Sequence, residues 1–164
     1  MDNKFVACSE AEYCINKGFI DVNDDVQFKT IRDVSDLFNK QYSGFQRSWI
    51  KVYDDWKIVA SCYQMPENNL YTNMLSVDGN RFCYSLKEDN DVKKEETVKG
   101  IIEHEMETTY LFLKYPNSKG YKFVGIFEKD IDAMKESIAT KKYMVIYKKK
   151  EDGNRLYLNQ FFNK

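Results

Sequence analysis

The sequence predicts a single α+β domain: a mixed sheet, or a small curved barrel with short helices packed outside. Three observations carry that prediction. The 164 residues suit one domain with its own core. Aromatic residues make up 15% of the chain, nearly all of them supplied by 12 Tyr and 11 Phe, which favours strands and argues against disorder. Strand-length apolar runs separated by polar turns fill most of residues 46–164, whereas helical spacing dominates residues 1–45.

In the first part, Ser9-Glu10-Ala11-Glu12 reads as a capping box, and Gly18 sits where such a short helix would stop. Ile31, Val34, Leu37 and Phe38 recur at helical spacing, so a second helix is expected from about Ile31 to Lys40, capped by Thr30 and broken at Ser43-Gly44.

The segment WIKVYDDWKIVASCY, Trp49 to Tyr63, reads as two strands joined at Asp54-Asp55, because Asp tolerates the left-handed backbone of a tight turn. That register sets Tyr53 opposite Trp56, Lys51 opposite Ile58 and Trp49 opposite Ala60. Trp49, Lys51, Tyr53 and Trp56 then share one face, and Ile50, Val52 and Val59 form the expected core face. Pro66 to Asn69 reads as a loop, YTNMLSVDGNRFCYSL as a hairpin around Asp78-Gly79, and the charged run Lys87 to Glu96 as a surface loop. Tyr110 to Tyr115 and Tyr121 to Phe127 are apolar on both faces, so both are expected at the centre of the sheet. Gly125 interrupts the second of these and marks a bulge or a sharp bend. Asp130 opens a short helix to about Ala139, KKYMVIYKKK is the last long strand, and Asp152-Gly153 turns into RLYLNQFF.

Several chemistries are poorly supported. The formal net charge of −1 rules out a uniformly basic coat, yet charge is polarised along the chain: Lys119 to Lys150 carries nine Lys against four acidic residues, and Leu86 to Glu107 four Lys against eight acids. Cys8, Cys14, Cys62 and Cys83 form no C-x-x-C pair and His104 is the single imidazole, so no metal site and no cofactor are expected. The stretch HEMET, starting at His104, has Thr where a zinc-binding H-E-x-x-H needs its second His. Gly120 and Gly125 have P-loop spacing but lack the following Lys-Ser or Lys-Thr. Asp55-x-Lys57 and Asp91-x-Lys93 are weak shadows of a nuclease signature, and Asp54 and Asp55 are more simply turn residues. With no apolar window long enough for a leader or a membrane span, a reducing, cytoplasmic setting is expected.

The series YLFLKY, GYKFVGIFEKD and KKYMVIYKK resembles the C-terminal half of PUA-like β-barrel modules of the SRA, EVE and ASCH types, found beside bacterial restriction endonucleases and helicases. Tyr110, Leu111, Phe112, Lys114, Tyr121, Phe123, Gly125, Phe127, Glu128 and Asp130 carry the pattern, and Asn73 to Phe82 is similar to the hairpin preceding it. The resemblance implies a PUA-like barrel of about six or seven strands with two or three short helices outside. It also implies nucleic-acid binding, DNA ahead of RNA, with a modified or flipped base held in an aromatic cleft.

Such a cleft needs flat faces on which a base can stack, groups that read its edge, and cations for the phosphates. The sequence offers Trp49, Tyr53 and Trp56 as the aromatic wall. Gln46, Arg47, Lys51, Asn73 and Ser76 are the candidate polar contacts, and Lys141, Lys142, Lys148, Lys149 and Lys150 the candidate phosphate contacts. The leading expectation is a non-catalytic module of bacterial or phage defence or counter-defence. One alternative is a small protein-binding inhibitor or adaptor that presents its acidic stretch to a nucleic-acid-processing enzyme. Another is a nucleic-acid or nucleotide hydrolase, for which acids would have to converge on Lys57 or Lys93.

Overall fold

The computed structural model describes residues 7–40, 49–62, 73–86 and 90–162. Its centre is a mixed seven-stranded sheet built from β2 (Trp49–Tyr53), β3 (Trp56–Cys62), β4 (Asn73–Leu75), β5 (Arg81–Ser85), β6 (Thr108–Lys114), β7 (Lys122–Lys129) and β8 (Met144–Lys149). The spatial order is β2-β3-β6-β7-β8-β5-β4. Every neighbouring pair is antiparallel except β3 and β6, which run parallel with Trp56 beside Thr108 and Cys62 beside Lys114. A second, two-stranded ribbon pairs β1 (Phe19–Asp21) with β9 (Arg155–Tyr157). The α+β class is as expected. A closed barrel is not seen among the described residues, where β2 and β4 are the two edges and no ladder joins them.

Helices cover both faces, which is how this sheet buries two apolar sides. Against one face lie α1 (Ser9–Lys17), α2 (Ile31–Asp36) and the residues around β9, which enclose Phe28, Phe38, Ile58, Ala60, Tyr110, Phe112, Phe123 and Leu158. Against the other lie α3 (Asp91–His104) and α4 (Ile131–Ala139), whose Val98, Ile102, Met134 and Ile138 meet Leu111, Leu113, Val124, Phe127, Val145 and Tyr147. The central strands β6 and β7 are therefore apolar on both sides, as their composition predicts.

Gly125 does what its position suggests. It has φ +143°, and the β6–β7 register slips between Leu111 and Phe112, so that Leu111 faces Gly125 and Phe112 faces Phe123. A Cβ on Gly125 would stand 2.6 Å from Lys149 Cε and 3.0 Å from Phe127 Cε1. The bulge reverses the inward–outward phase of β7, which lets Phe123 and Ile126 both face the α1–α2 side.

Four local expectations change. Ser9 is not the cap of α1: Cys8 is, its Sγ accepting the Ala11 N–H at 3.4 Å, while the Ser9 hydroxyl bonds to Glu10. The second helix closes at Asp36, because Asn39 takes φ +57° and turns the chain. The charged run expected as a loop is helical from Asp91 onward, its residues 87–89 lying outside the described residues: Asn90 accepts the Lys93 N–H at 2.8 Å as an N-cap, and α3 continues to His104. Its apolar stripe falls in its second half, around Val98, Ile101 and Ile102, so the charged beginning masks it. The β2–β3 hairpin also buries the face expected to be open, while Val59 on the expected core face packs against the α3–α4 core. Trp56, Ile58 and Ala60 turn into the α1–α2 core, while Val52 on the expected core face is 46% exposed.

Candidate nucleic-acid interface

The hairpin register is as predicted, with Trp49 opposite Ala60, Lys51 opposite Ile58 and Tyr53 opposite Trp56. Asp54, at φ +39°, makes the tight turn that sets the last pair. The Tyr53 and Trp56 rings lie 4.6 Å apart, tilted by 36°, and both are half-buried. Lys40 Nζ sits 4.7 Å from the Tyr53 ring centroid. Burial pushes the Tyr53 phenol up to about 12, so it stays neutral across the physiological range. Trp56 is also packed from within: Phe38 stacks on it at 5.5 Å, Tyr110 meets it at 5.4 Å and Phe161 at 5.2 Å. This makes Trp56 the rim of an aromatic cluster rooted in the core.

The ladders join this rim to the basic end of β8. Trp56 of β3 neighbours Thr108 of β6, Thr108 neighbours Glu128 of β7, Glu128 neighbours Lys148 of β8, and Lys148 neighbours Arg81 of β5. Laterally paired residues project to the same face, so Tyr53, Trp56, Thr108, Glu128, Lys148 and Arg81 form one row across one end of the sheet. Trp56 and Lys148 are three strand spacings apart, about 14 Å. Lys150 shortens that gap, since its Nζ donates to Thr108 Oγ1 at 2.8 Å, next to Trp56. Arg81 pairs with Asp130 at 3.3 Å.

The other candidates are scattered. Lys149 turns to the opposite face, where its Nζ donates to Asn154 Oδ1 at 2.9 Å and burial lowers its pKa. Lys141 and Lys142 are exposed at the far end of β8, in the turn from α4. Ser76 belongs to the β4–β5 turn, bonding to Asp78 at 2.6 Å and accepting the Arg81 N–H at 2.9 Å. Asn73 begins β4, the edge opposite β2. The side chains of Trp49, Lys51 and Asn73, and Gln46 and Arg47 entirely, lie outside the described residues. His104 ends α3 as an exposed residue beside Glu103.

Sequence reasoning missed a buried polar group on the α3–α4 face. Lys57, 1% exposed, donates to the Tyr147 hydroxyl at 2.9 Å and pairs with Glu105 at 3.1 Å. Lys129 donates to the carbonyls of Ile102 and Glu105, both at 3.0 Å, and so caps the C-terminal end of α3. Burial, with repulsion from Lys129, lowers the Lys57 pKa against the opposing pull of Glu105. The signal was strand alternation: Lys57 lies between Trp56 and Ile58 and must point away from their core. Also unforeseen, Cys8, Asp33 and Asp36 bring their ligand atoms within 4.8 Å of one another. Their hydrogen bonds account for this, because Cys8 Sγ caps α1 and the Cys8 N–H donates to Asp36 at 3.0 Å. Burial pushes the thiol up to about 11.

The family model for the SET and RING associated (SRA) domain matches residues 13–152. The chain belongs to the SRA family. The match extends well beyond the C-terminal half that carried the resemblance in the sequence. Among solved structures, this SRA chain is similar to that of "The 5-Hydroxymethylcytosine-Specific Restriction Enzyme AbaSI", with a TM-score of 0.65 and 18% identity over 95% of this chain. At that identity the likeness speaks for the fold. This chain spans about half, 48%, of the AbaSI chain. No curated protein matches it.

Proposed function

We propose that this SRA chain is a non-catalytic reader of a modified base in DNA, serving bacterial or phage defence or counter-defence. In this reading Tyr53 and Trp56 supply the stacking wall, with Lys148 and Lys150 taking phosphates on the same face. The observation that carries it is the lateral row from Tyr53 through Trp56 and Thr108 to Lys148, with Lys150 bonded to Thr108. It puts flat apolar surface and positive charge at one end of one sheet, the combination that base stacking and phosphate neutralisation require. Trp49 and Lys51 share β2 with Tyr53, and Gln46 and Arg47 precede it in the sequence; all four remain proposed contacts. Lys141, Lys142, Lys149, Asn73 and Ser76 are assigned at most peripheral contacts.

AbaSI is described as specific for 5-hydroxymethylcytosine, so this is the first base to test. Fluorescence anisotropy would compare a duplex carrying one 5-hydroxymethylcytosine with the same duplex carrying cytosine. Tighter binding of the modified duplex is expected, with discrimination reduced by about 1–3 kcal/mol in Trp56→Ala, the worth of one stacked base. Thermal melting would confirm that the variant is folded. Equal affinity for both duplexes across cytosine modifications would overturn the proposal.

A second reading, a protein-binding adaptor, draws on a cleft of about 300 Å³ between α3 and α4, lined by Lys99, Ile102, Glu103, Lys135 and Ile138. It lies on the side of the sheet away from the aromatic row, so one stoichiometric protein partner captured without nucleic acid would favour it.

A further inference from the structure

We infer that Lys57 and Tyr147 form a strut behind the reading row, and that this strut positions the aromatic rim relative to the phosphate contacts. The inference rests on the base-reading proposal above. Lys57 directly follows Trp56 in β3, and Tyr147 directly precedes Lys148 in β8. Successive residues of a strand point to opposite faces, so each partner of the strut sits behind one residue of the row. Two strands, β6 and β7, lie between β3 and β8. The Lys57 ammonium nevertheless donates to the Tyr147 hydroxyl at 2.9 Å and lies 4.8 Å from its ring centroid. The two side chains thus span both intervening strands.

Both ends of the strut are held. Lys57 is buried, and its ammonium also pairs with Glu105 at 3.1 Å. Tyr147 is buried too, and the Phe82 ring stacks on it with centroids 6.3 Å apart and 29° between the planes. The ladders between the two ends are short or irregular. β7 pairs with β8 at three positions, Phe127 with Lys149, Glu128 with Lys148 and Lys129 with Tyr147. The β6–β7 ladder carries the Gly125 bulge. The backbone therefore sets the separation of Trp56 from Lys148 through one short ladder and one broken one, and a side-chain tie across both reinforces it. On the face of the row, Lys150 makes a comparable tie to Thr108 of β6 at 2.8 Å. Lys150 is also assigned a phosphate, so binding DNA draws on that same ammonium. The strut faces α3 and α4 and is assigned no contact with DNA, so it can keep the spacing in the complex.

The test uses wild type, Tyr147→Phe, Lys57→Met, Trp56→Ala and the double variant Trp56→Ala/Tyr147→Phe. Tyr147→Phe removes the hydroxyl and keeps the ring. Each protein is titrated, over a series of salt concentrations, with a duplex bearing one 5-hydroxymethylcytosine, or the cytosine modification that wild type prefers, and with its cytosine counterpart. If the untied sheet holds the reading spacing about a tenth of the time, affinity for the modified duplex falls about tenfold. Tyr147→Phe and Lys57→Met are then expected to weaken that binding about five- to tenfold, with the cytosine duplex within about twofold of wild type. The slope of log affinity against log salt should not change, because no phosphate contact is removed. The strut acts through the rim, so the double variant should discriminate no worse than Trp56→Ala alone. Full discrimination retained by either folded strut variant, an equal loss for both duplexes, or additive losses in the double variant overturns the strut and leaves the base-reading proposal standing. Failure of wild type to prefer any cytosine modification overturns both. Should Tyr147→Phe unfold, Lys57→Met decides the question.

Discussion

Breaking the Lys57–Glu105 pair tests the reading of the α3–α4 face. Lys57 is 1% exposed, with its ammonium 3.1 Å from Glu105 and 2.9 Å from the Tyr147 hydroxyl. Glu105→Gln leaves that charge buried with a phenol and a second ammonium, Lys129, nearby. Losing one partner of a buried pair costs about 3–5 kcal/mol, and the partial exposure of Glu105 reduces this to about 2–3 kcal/mol. In a domain of this size that is a drop of about 5–10 °C in Tm. Lys57→Met keeps the stem in the same slot and removes the charge, so it is expected to stay within about 1 kcal/mol of wild type. The double variant Lys57→Met/Glu105→Gln then recovers most of the loss caused by Glu105→Gln alone. Urea and thermal melts of the four proteins complete the cycle. The pH dependence gives a second readout. The Lys57 pKa is lowered on folding, so between its folded and unfolded values the unfolded state holds the extra proton, and stability rises with pH through that window. Removing Glu105 lowers the folded value further, so in Glu105→Gln the rise begins at lower pH. Glu105→Gln within about 0.5 kcal/mol of wild type, or a double variant as unstable as Glu105→Gln, would refute the argument.

Three other outcomes follow from the structure. Gly125→Ala forces a side chain into φ +143° and into contact with Lys149 and Phe127, so a loss of about 2–3 kcal/mol is expected in chemical denaturation. Lys148→Ala and Lys150→Ala should each reduce the slope of log affinity against log salt by about one in DNA titrations, whereas Lys142→Ala, at the far end of β8, should leave it nearly unchanged. The Asn23 amide and Arg155 hold the Asp21 carboxyl below its ordinary range. Its contribution is therefore complete above the unfolded carboxylate pKa and is lost as pH falls through the folded value. Asp21→Asn should flatten the acid side of a Tm-against-pH curve.

The hairpins, the central strands and the bulge were legible because they depend on local rules. Asp54-Asp55 and Asp78-Gly79 have turn chemistry, and Gly125 stands where a side chain would have to pack. The cap by Cys8 was not legible, because Ser9 offers the commoner capping group one residue later and only the backbone decides between them. The first half of α3 was hidden by charge, since a helix that buries little before Val98 has no apolar stripe to display. The interface was legible as a set of residue types but not as a place. Nothing in the order of residues says that Lys148 and Trp56 share a row, because that follows from β6 and β7 being inserted between their strands. Nor does it say that Phe161, near the end of the sequence, would return to pack against an indole on β3.

The parallel pairing of β3 with β6 also governs how the chain can be made. The β2–β3 and β4–β5 ribbons are local in sequence, yet they end on opposite flanks, held together by three strands synthesised after both. Until β8 exists, each ribbon presents an unfilled margin to any neighbouring chain. Premature termination or nicking within residues 108–149 would therefore release two sticky halves instead of a smaller working domain. A split-protein reporter made from this scaffold should keep that stretch whole and divide the chain ahead of β6.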